Sequence, residues 1–105
     1  MSSLVERLEA MLAGGHDSAL LRFGLGQALH NEGRAGEAVG HLERAVQLDP
    51  AYSAAWKLLG RARADSGDRT GAATAWREGV AAATARGDKQ AAREMQVFLK
   101  RLERA

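Results

Sequence analysis

The chain has 105 residues, of which 46% are hydrophobic and 27% charged, and its formal net charge at pH 7 is +2, which fits one domain with an apolar core. It contains no cysteine, which excludes a disulfide framework and a thiolate-bound metal, and the charged residues among its first 13 positions argue against a secretory signal. No apolar run approaches the roughly 18 residues of a membrane span, so we expect a cytoplasmic protein that does not enter a membrane.

The first predicted element is a helix over residues 4–13. Its apolar residues follow the i, i+4, i+7, i+8 spacing of one helix face, namely Leu4, Leu8, Met11 and Leu12. Ser3 followed by Glu6 has the form of a capping box, and Gly14-Gly15 provides a stop. These four residues lie 34 positions before Ala38, Leu42, Ala45 and Val46, so we expect residues 4–13 to be the second helix of a repeating unit whose first helix is missing. The alternative is an unrelated amphipathic helix.

Residues 19–52 and 53–86 are one unit written twice, at an offset of 34 residues. Positions identical in the two copies include Leu25, Gly26, Ala28, Gly33, Ala38 and Val46 in the first and Leu59, Gly60, Ala62, Gly67, Ala72 and Val80 in the second. A fixed period of this length predicts a solenoid array, in which each unit buries its apolar face against its neighbours. Each copy predicts two helices joined by a glycine turn, with Gly67 in a left-handed conformation.

The last predicted element is a helix that follows Arg86-Gly87-Asp88. Its apolar stripe comprises Met95, Phe98, Leu99 and Leu102, and its other side carries charged residues. A solenoid must end in a helix with one polar face, since its last apolar face would otherwise be exposed. Because this stripe lies out of register with the 34-residue offset, we expect a capping helix over residues 87–105 and not a third repeat.

In each copy a Leu-Gly pair lies in the first helical stretch, a glycine follows at the turn, and a small residue opens the second stretch. With Trp56, Trp76 and Gly79 at further matching positions, the pattern resembles the tetratricopeptide repeat, a helix-turn-helix of 34 residues. The resemblance implies an all-α helix-turn-helix solenoid of about six helices. Its parts are a half-repeat helix within residues 1–18, repeat 1 at 19–52, repeat 2 at 53–86 and the cap at 87–105. Arg22 and Arg63 stand where the family usually has aromatic residues.

No segment has the pattern of a catalytic, cofactor or metal site. Gly24-Leu25-Gly26 lacks a preceding strand and a third glycine, so we expect no dinucleotide there. His16, His30 and His41 are 14 and 11 residues apart, and neither spacing puts two ligands on one helix face. Without a nucleophile elbow or an oxyanion loop, we expect no enzyme activity, no cofactor and no metal.

The distribution of charge argues against nucleic acid as a partner. Residues 1–52 carry four basic and seven acidic side chains, and residues 53–105 carry eleven and six. Nucleic-acid binding normally needs a continuous basic stripe, often with stacking aromatic residues, whereas both tryptophans occupy core positions of the repeat. The abundance of Ala, Gly and Arg is typical of a bacterial protein from a GC-rich genome.

The resemblance implies that the first helix of each repeat lines a concave face that binds extended peptides. The lining positions expected once the Leu-Gly pairs face the second helix are Leu20, Phe23, Gln27 and His30 in repeat 1, Ala54, Lys57, Arg61 and Ala64 in repeat 2, and Arg93, Val97 and Arg101 in the cap. Lys57 and Arg61 repel each other at i, i+4 by a few tenths of a kcal/mol. Their spacing favours an anion held between them, although two separately solvated cations explain it as well.

We therefore expect an adaptor without catalysis that binds a protein or an extended peptide of mixed acidic and apolar character. Its predicted binding residues are Leu20, Phe23, Gln27, His30, Lys57, Arg61 and Arg93. The alternative is a self-associating structural module, since such arrays generally need about three repeats to be stable. In that case a homodimer would complete the array through the layer left open beside residues 4–13.

Overall fold

The computed structural model describes residues 3–104, and this part of the chain folds into six α-helices without a β-strand. The helices are α1 (Leu4–Ala13), α2 (Ala19–Asn31), α3 (Ala35–Leu48), α4 (Ser53–Asp65), α5 (Arg69–Ala85) and α6 (Lys89–Arg104). The prediction of an all-α solenoid of six helices is confirmed, and α1 begins and ends where the sequence predicts. None of the six helices has the length and apolar content needed to cross a membrane.

The helix ends follow from capping side chains and from glycine. At α1 the Ser3 hydroxyl accepts a hydrogen bond from the Glu6 amide at 3.1 Å, and the Glu6 carboxylate accepts one from the Ser3 amide, which is the predicted capping box. The turns after α2 and α4 each contain a glycine with positive φ, +78° at Gly33 and +92° at Gly67. The left-handed conformation predicted for Gly67 is therefore confirmed, and a side chain there would strain the backbone.

Each repeat packs its two helices together through a glycine. A Cβ atom added to Gly26 would lie 2.5 Å from the Leu42 side chain, and one added to Gly60 would overlap the Trp76 indole. Leu42 on α3 is fully buried and Trp76 on α5 is 5% exposed, so both contacts lie in the core. The two recurring glycines thus permit the close approach of α2 to α3 and of α4 to α5.

The last helix closes the stack with one apolar and one polar side, as predicted. Ala92 and Met95 of α6 are buried, and the apolar residues that follow them on the same face are half-buried. The Met95 sulfur lies so close to Gly79 of α5 that any Cβ there would overlap it. α6 packs mainly on α5 and also contacts α4.

The stack is curved, and its curvature distinguishes two kinds of helix. Each helix packs against the next one in sequence, and α2 also contacts α4, as α4 contacts α6. Within residues 3–104, no Cα atom of α3 lies within 8 Å of one in α1 or α5. We call α2, α4 and α6 the first helices. Because they approach one another more closely than α1, α3 and α5 do, they lie on the inner side of the curve. We call the surface that they form on that side the inner wall.

The apolar face of α1 is only partly buried. Leu4 and Met11 are 53% and 49% exposed, whereas the neighbouring Val5 is 2% exposed. The reason is that α1 packs against α2 alone, so one of its sides has no helix against it among residues 3–104. The corresponding residues of α3, Ala38 and Ala45, are fully buried because α3 lies between α2 and α4.

Candidate binding face

The predicted binding residues all lie on the first helices but differ in exposure. Leu20, Gln27, Arg61 and Arg93 are exposed, whereas Phe23, His30 and Lys57 are half-buried. The half-buried residues are those that contact a neighbouring first helix or, for Phe23, the residue Tyr52 that precedes it. The exposed ones remain accessible to a partner, and the role of all seven in binding stays a prediction.

Three side-chain contacts connect neighbouring first helices along the inner wall. The Phe23 ring lies 5.0 Å from that of Tyr52, which precedes α4, at an interplanar angle of 33°. His30 Nε2 lies 2.7 Å from Asp65 Oδ2, which joins the C-terminal end of α2 to that of α4. These contacts fix the spacing of the wall and leave less of Phe23 and His30 available than the sequence suggests.

The third contact changes the interpretation of the basic pair on α4. Lys57 Nζ lies 3.1 Å from Glu94 Oε2 of α6, so its charge is already paired within the wall. Arg61, one turn later, makes no ion pair with any residue in 3–104. An anion held between Lys57 and Arg61 would have to compete with Glu94. The sequence did not indicate this pairing, because it depends on how α6 is placed beside α4.

Arg61 instead borders a groove between α4 and α6 with a volume of about 320 Å³. The groove is lined by Arg61, Ala64, Asp65, Trp76, Phe98 and Arg101. Its floor is a pair of aromatic rings, with the Phe98 centroid 5.3 Å from that of Trp76 and the planes at 48°. Sequence reasoning missed these rings as site residues, because Trp76 occupies a core position and Phe98 belongs to the apolar stripe of the cap.

A second groove lies at the other end of the molecule, between α1 and the start of α2. Its volume is about 320 Å³, and its lining is mostly apolar, comprising Leu8, Met11, His16, Ser18, Leu20, Leu21 and Gly24. Leu20 is 72% exposed and belongs to this groove, at the far end of the inner wall from Arg61. The structure therefore separates Leu20 from the charged part of the predicted binding face.

The two arginines that replace family aromatics hold helices together through polar contacts. Arg22 Nε lies 2.8 Å from Asp17 Oδ1, and Arg22 Nη1 donates to His41 Nδ1 at 3.1 Å. Arg63 of α4 donates to Glu43 of α3 at 2.9 Å. Both arginines thus act in packing.

The ionisable groups near Arg22 have pKa values that follow from this geometry. The hydrogen bond from Arg22 lowers the pKa of the Asp17 carboxyl. Burial, followed by the Arg22 charge, lowers the pKa of His41. Within residues 3–104 no three His, Asp or Glu side chains are grouped so that they could hold a metal ion.

Comparison with known proteins agrees with this architecture. Residues 19–62 match a family model described as tetratricopeptide repeat. Over 102 residues the chain is 56% identical to the TPR repeat-containing protein PA0015 of Pseudomonas aeruginosa, and the match covers 97% of each chain.

Two solved structures resemble the whole stack of helices. The solution structure of protein BPP2914 from Bordetella parapertussis has a TM-score of 0.84 and 51% identity, covering 99% of this chain and 90% of that one. The Sgt2 TPR domain of Aspergillus fumigatus has a TM-score of 0.74 at 24% identity, covering 96% and 69%, a likeness of fold. The Leu-Gly packing is repeated in both units, and the chain is highly identical to a bacterial relative over nearly its full length. The chain therefore belongs to the tetratricopeptide repeat family.

Proposed function

We propose that the chain is a non-catalytic adaptor that binds an extended segment of a partner protein along the inner wall. The observation that carries this proposal is the curvature: α2, α4 and α6 contact one another in turn, whereas α1, α3 and α5 do not. The inner wall is therefore continuous across three helices and exposes Gln27, Arg61 and Arg93. Membership of a family whose members generally mediate protein–protein interaction supports the same function.

The charges on the wall favour an acidic partner. Arg61, Arg93 and Arg101 are exposed and form no ion pair within residues 3–104, whereas Lys57 and His30 already face carboxylates. An exposed ion pair contributes only about 0.2–1 kcal/mol, so several must act together for useful affinity. Phe98 lines the same groove as Arg61 and Arg101 and adds apolar area next to these charges, which suits a segment of mixed acidic and apolar character.

Charge reversal on the inner wall tests this function. A partner would first be captured with the native protein from the source organism and identified by mass spectrometry. Its affinity would then be measured for Arg61→Glu combined with Arg93→Glu. We expect the affinity to fall at least about tenfold, corresponding to 1.4 kcal/mol, and the parent's affinity to fall with added salt. Lys57 is left unchanged, because a glutamate there would face Glu94 and destabilise the wall.

The matched control reverses Arg7 and Arg77 instead. Both are exposed and lie on α1 and α5, away from the inner wall, neither forms an ion pair within residues 3–104, and the change in net charge is the same. If the control weakens binding as much as the inner-wall variant does, the effect is one of net charge and the proposed face is wrong.

A self-associating structural module is the alternative function, and the open side of α1 favours it. Met11 and Leu20 line the apolar groove between α1 and α2 and are 49% and 72% exposed, and Leu4 at the start of α1 is 53% exposed. Burying them between two copies would remove apolar area from water, at roughly 25 cal/mol per Å². Molecular mass measured over a concentration series separates the alternatives, since a mass that stays monomeric at every concentration contradicts self-association.

A further inference from the structure

We propose that a second copy of this chain covers the open side of α1 with its own α6, so that copies associate head to tail. By the 34-residue offset α1 takes the place of a second helix, and it packs against α2 alone within residues 3–104. α6 is a first helix, and no second helix follows it in that part of the chain. The two ends of the stack are thus complementary halves of one repeat. This association goes beyond the adaptor function and specifies which two surfaces meet.

The open side of α1 has the form of a site for a first helix. Met11 and Leu20 line the apolar groove between α1 and α2 and are 49% and 72% exposed. In repeat 2 the position of Met11 is taken by Gly79, which is buried against Trp56 of the first helix α4. The exposed side chains therefore lie where a first helix packs in a complete repeat, and burying them removes apolar area from water.

The positions that would meet between copies follow from repeat 2. Residues of α6 correspond to residues of α4 36 positions earlier, since the two helices begin at 89 and 53. Residues of α1 correspond to residues of α5 68 positions later, which is twice the repeat offset of 34. We call the contact built on this correspondence, between α6 of one copy and α1 of the next, the junction.

The first pair of positions at the junction exchanges a large residue for a small one. In repeat 2 a Cβ atom added to Gly79 would lie 2.9 Å from Trp56 Cβ, so a large residue on α4 faces a glycine on α5. At the junction the corresponding residues are Ala92 on α6 and Met11 on α1 of the next copy. The large residue now lies on the second helix and the small one on the first, so the pair still fills the space.

The second pair exchanges size in the opposite direction. In repeat 2 Gly60 of α4 lies against the Trp76 indole of α5. At the junction Gln96 takes the position of Gly60, and Leu8, which is smaller than an indole, takes the position of Trp76. Gln96 is exposed and Leu8 is half-buried, so both are accessible to a second copy.

A third pair of positions is apolar on both sides. Leu99 of α6 is half-buried and takes the position of Arg63, which packs against Gly71 at the start of α5. At the junction it would lie beside Leu4 at the start of α1, which is 53% exposed. Arg63 needs a carbonyl partner at this place, whereas two leucines need only contact.

The distribution of charge favours this pairing over the two symmetric ones. Residues 1–52 carry four basic and seven acidic side chains, a net charge of −3, and residues 53–105 carry eleven and six, a net charge of +5. A head-to-tail contact brings an acidic half to a basic half. Two α1 surfaces, or two α6 surfaces, would instead bring like charges together.

A head-to-tail contact leaves one free surface on each end of the assembly, so further copies can add. α6 of one copy would then precede α2 of the next, and the first helices of successive copies would continue a single inner wall. A partner segment could extend across more than one copy, while the inner wall of each copy stays outside the junction.

Molecular mass measured on the full chain over a concentration series tests the junction. We expect the mean mass of the parent to rise past that of two chains, and to fall with added salt because screening weakens the attraction of opposite charges. Met11→Arg blocks the α1 surface and Gln96→Arg blocks the α6 surface. Both residues are exposed, so each variant should keep the fold, which circular dichroism checks, and each alone should stay at the mass of one chain.

Mixing the two variants distinguishes this contact from a symmetric one. Each variant retains the surface that the other has lost, so the equimolar mixture should reach the mass of two chains and stop there. If Gln96→Arg alone still forms pairs, two α1 surfaces meet and the head-to-tail contact is wrong. A parent that stays at the mass of one chain at every concentration would also overturn it, without bearing on whether a partner binds the inner wall.

Ala13→Arg and Gln90→Arg are the matched controls, since they add the same charge to α1 and α6 outside the junction. Ala13 is exposed and lies two positions from Met11, or about 200° around the helix. Gln90 lies on the side of α6 that faces α4, in a cleft with Lys57 and Glu94. Both controls should associate as the parent does. If they stay at the mass of one chain as well, added charge is the cause and the proposed junction is wrong.

Discussion

Arg22, which stands where the family usually has an aromatic residue, sets the protonation state of its neighbour His41. Its Nδ1 lies 3.1 Å from Arg22 Nη1, and a guanidinium can only donate, so Nδ1 accepts and the ring is neutral. Burial first and the Arg22 charge second lower its pKa below the ordinary value of 6.5. The hydrogen bond from Arg22 therefore forms only when His41 Nδ1 is unprotonated.

The lowered pKa predicts a pH dependence of stability. The unfolded state binds a proton at His41 more readily than the folded state does, so the stabilising contribution is present above about pH 6.5 and is lost as the pH falls through the folded pKa. We expect the free energy of unfolding, measured by urea denaturation, to fall from pH 7.5 towards pH 5.5. His41→Gln should reduce this slope. The control variant is His16→Gln, since His16 is exposed. If both variants show the same slope, His41 is not the cause of the pH dependence.

At the scale of the helices, the repeat is held together by small residues placed opposite bulky ones. Gly60 of α4 faces Trp76 of α5 just as Gly26 of α2 faces Leu42 of α3. An alanine in a helix is normally about 1 kcal/mol more favourable than a glycine. At Gly60 the packing should reverse this preference, because the added carbon would overlap a buried indole ring.

Two alanine substitutions isolate that packing role. Gly60→Ala should destabilise the protein by roughly 1–3 kcal/mol through overpacking. Gly40→Ala is the matched control, since a Cβ added to Gly40 on α3 would have no neighbouring atom within 4 Å, and this variant should gain up to about 1 kcal/mol. Thermal and urea unfolding would measure both, and a Gly60→Ala protein as stable as the Gly40→Ala protein would exclude the role.

The sequence predicts the helices better than the contacts between their surfaces. The capping box at Ser3 and the Leu-Gly pairs are local patterns, so α1 and the two glycine contacts follow from them. From Ala19 to Ser53 the first helices begin 34 positions apart, but from Ser53 to Lys89 they begin 36 apart. The cause is α5, with 17 residues against 14 in α3. This difference shifts α6 relative to the repeat, so the Lys57–Glu94 ion pair and the Phe98 floor could not be located by offset alone.

At the scale of the whole molecule, two different surfaces are available for a partner. The inner wall offers exposed arginines beside aromatic rings, whereas the open side of α1 offers exposed leucine and methionine. The two surfaces are chemically distinct, and Leu20 belongs to the second although the sequence assigned it to the first. A partner bound to the inner wall should therefore protect α2, α4 and α6, whereas one bound to the open side should protect α1 and the start of α2.

Amide hydrogen exchange of the full chain, with and without the captured partner, shows whether the partner binds on the inner wall. The adaptor function predicts slower exchange in α2, α4 and α6, strongest around Gln27, Arg61 and Arg93, with α3 and α5 unchanged on their outer sides. Protection confined to α1 and the start of α2, or to α3 and α5, would contradict binding on the inner wall.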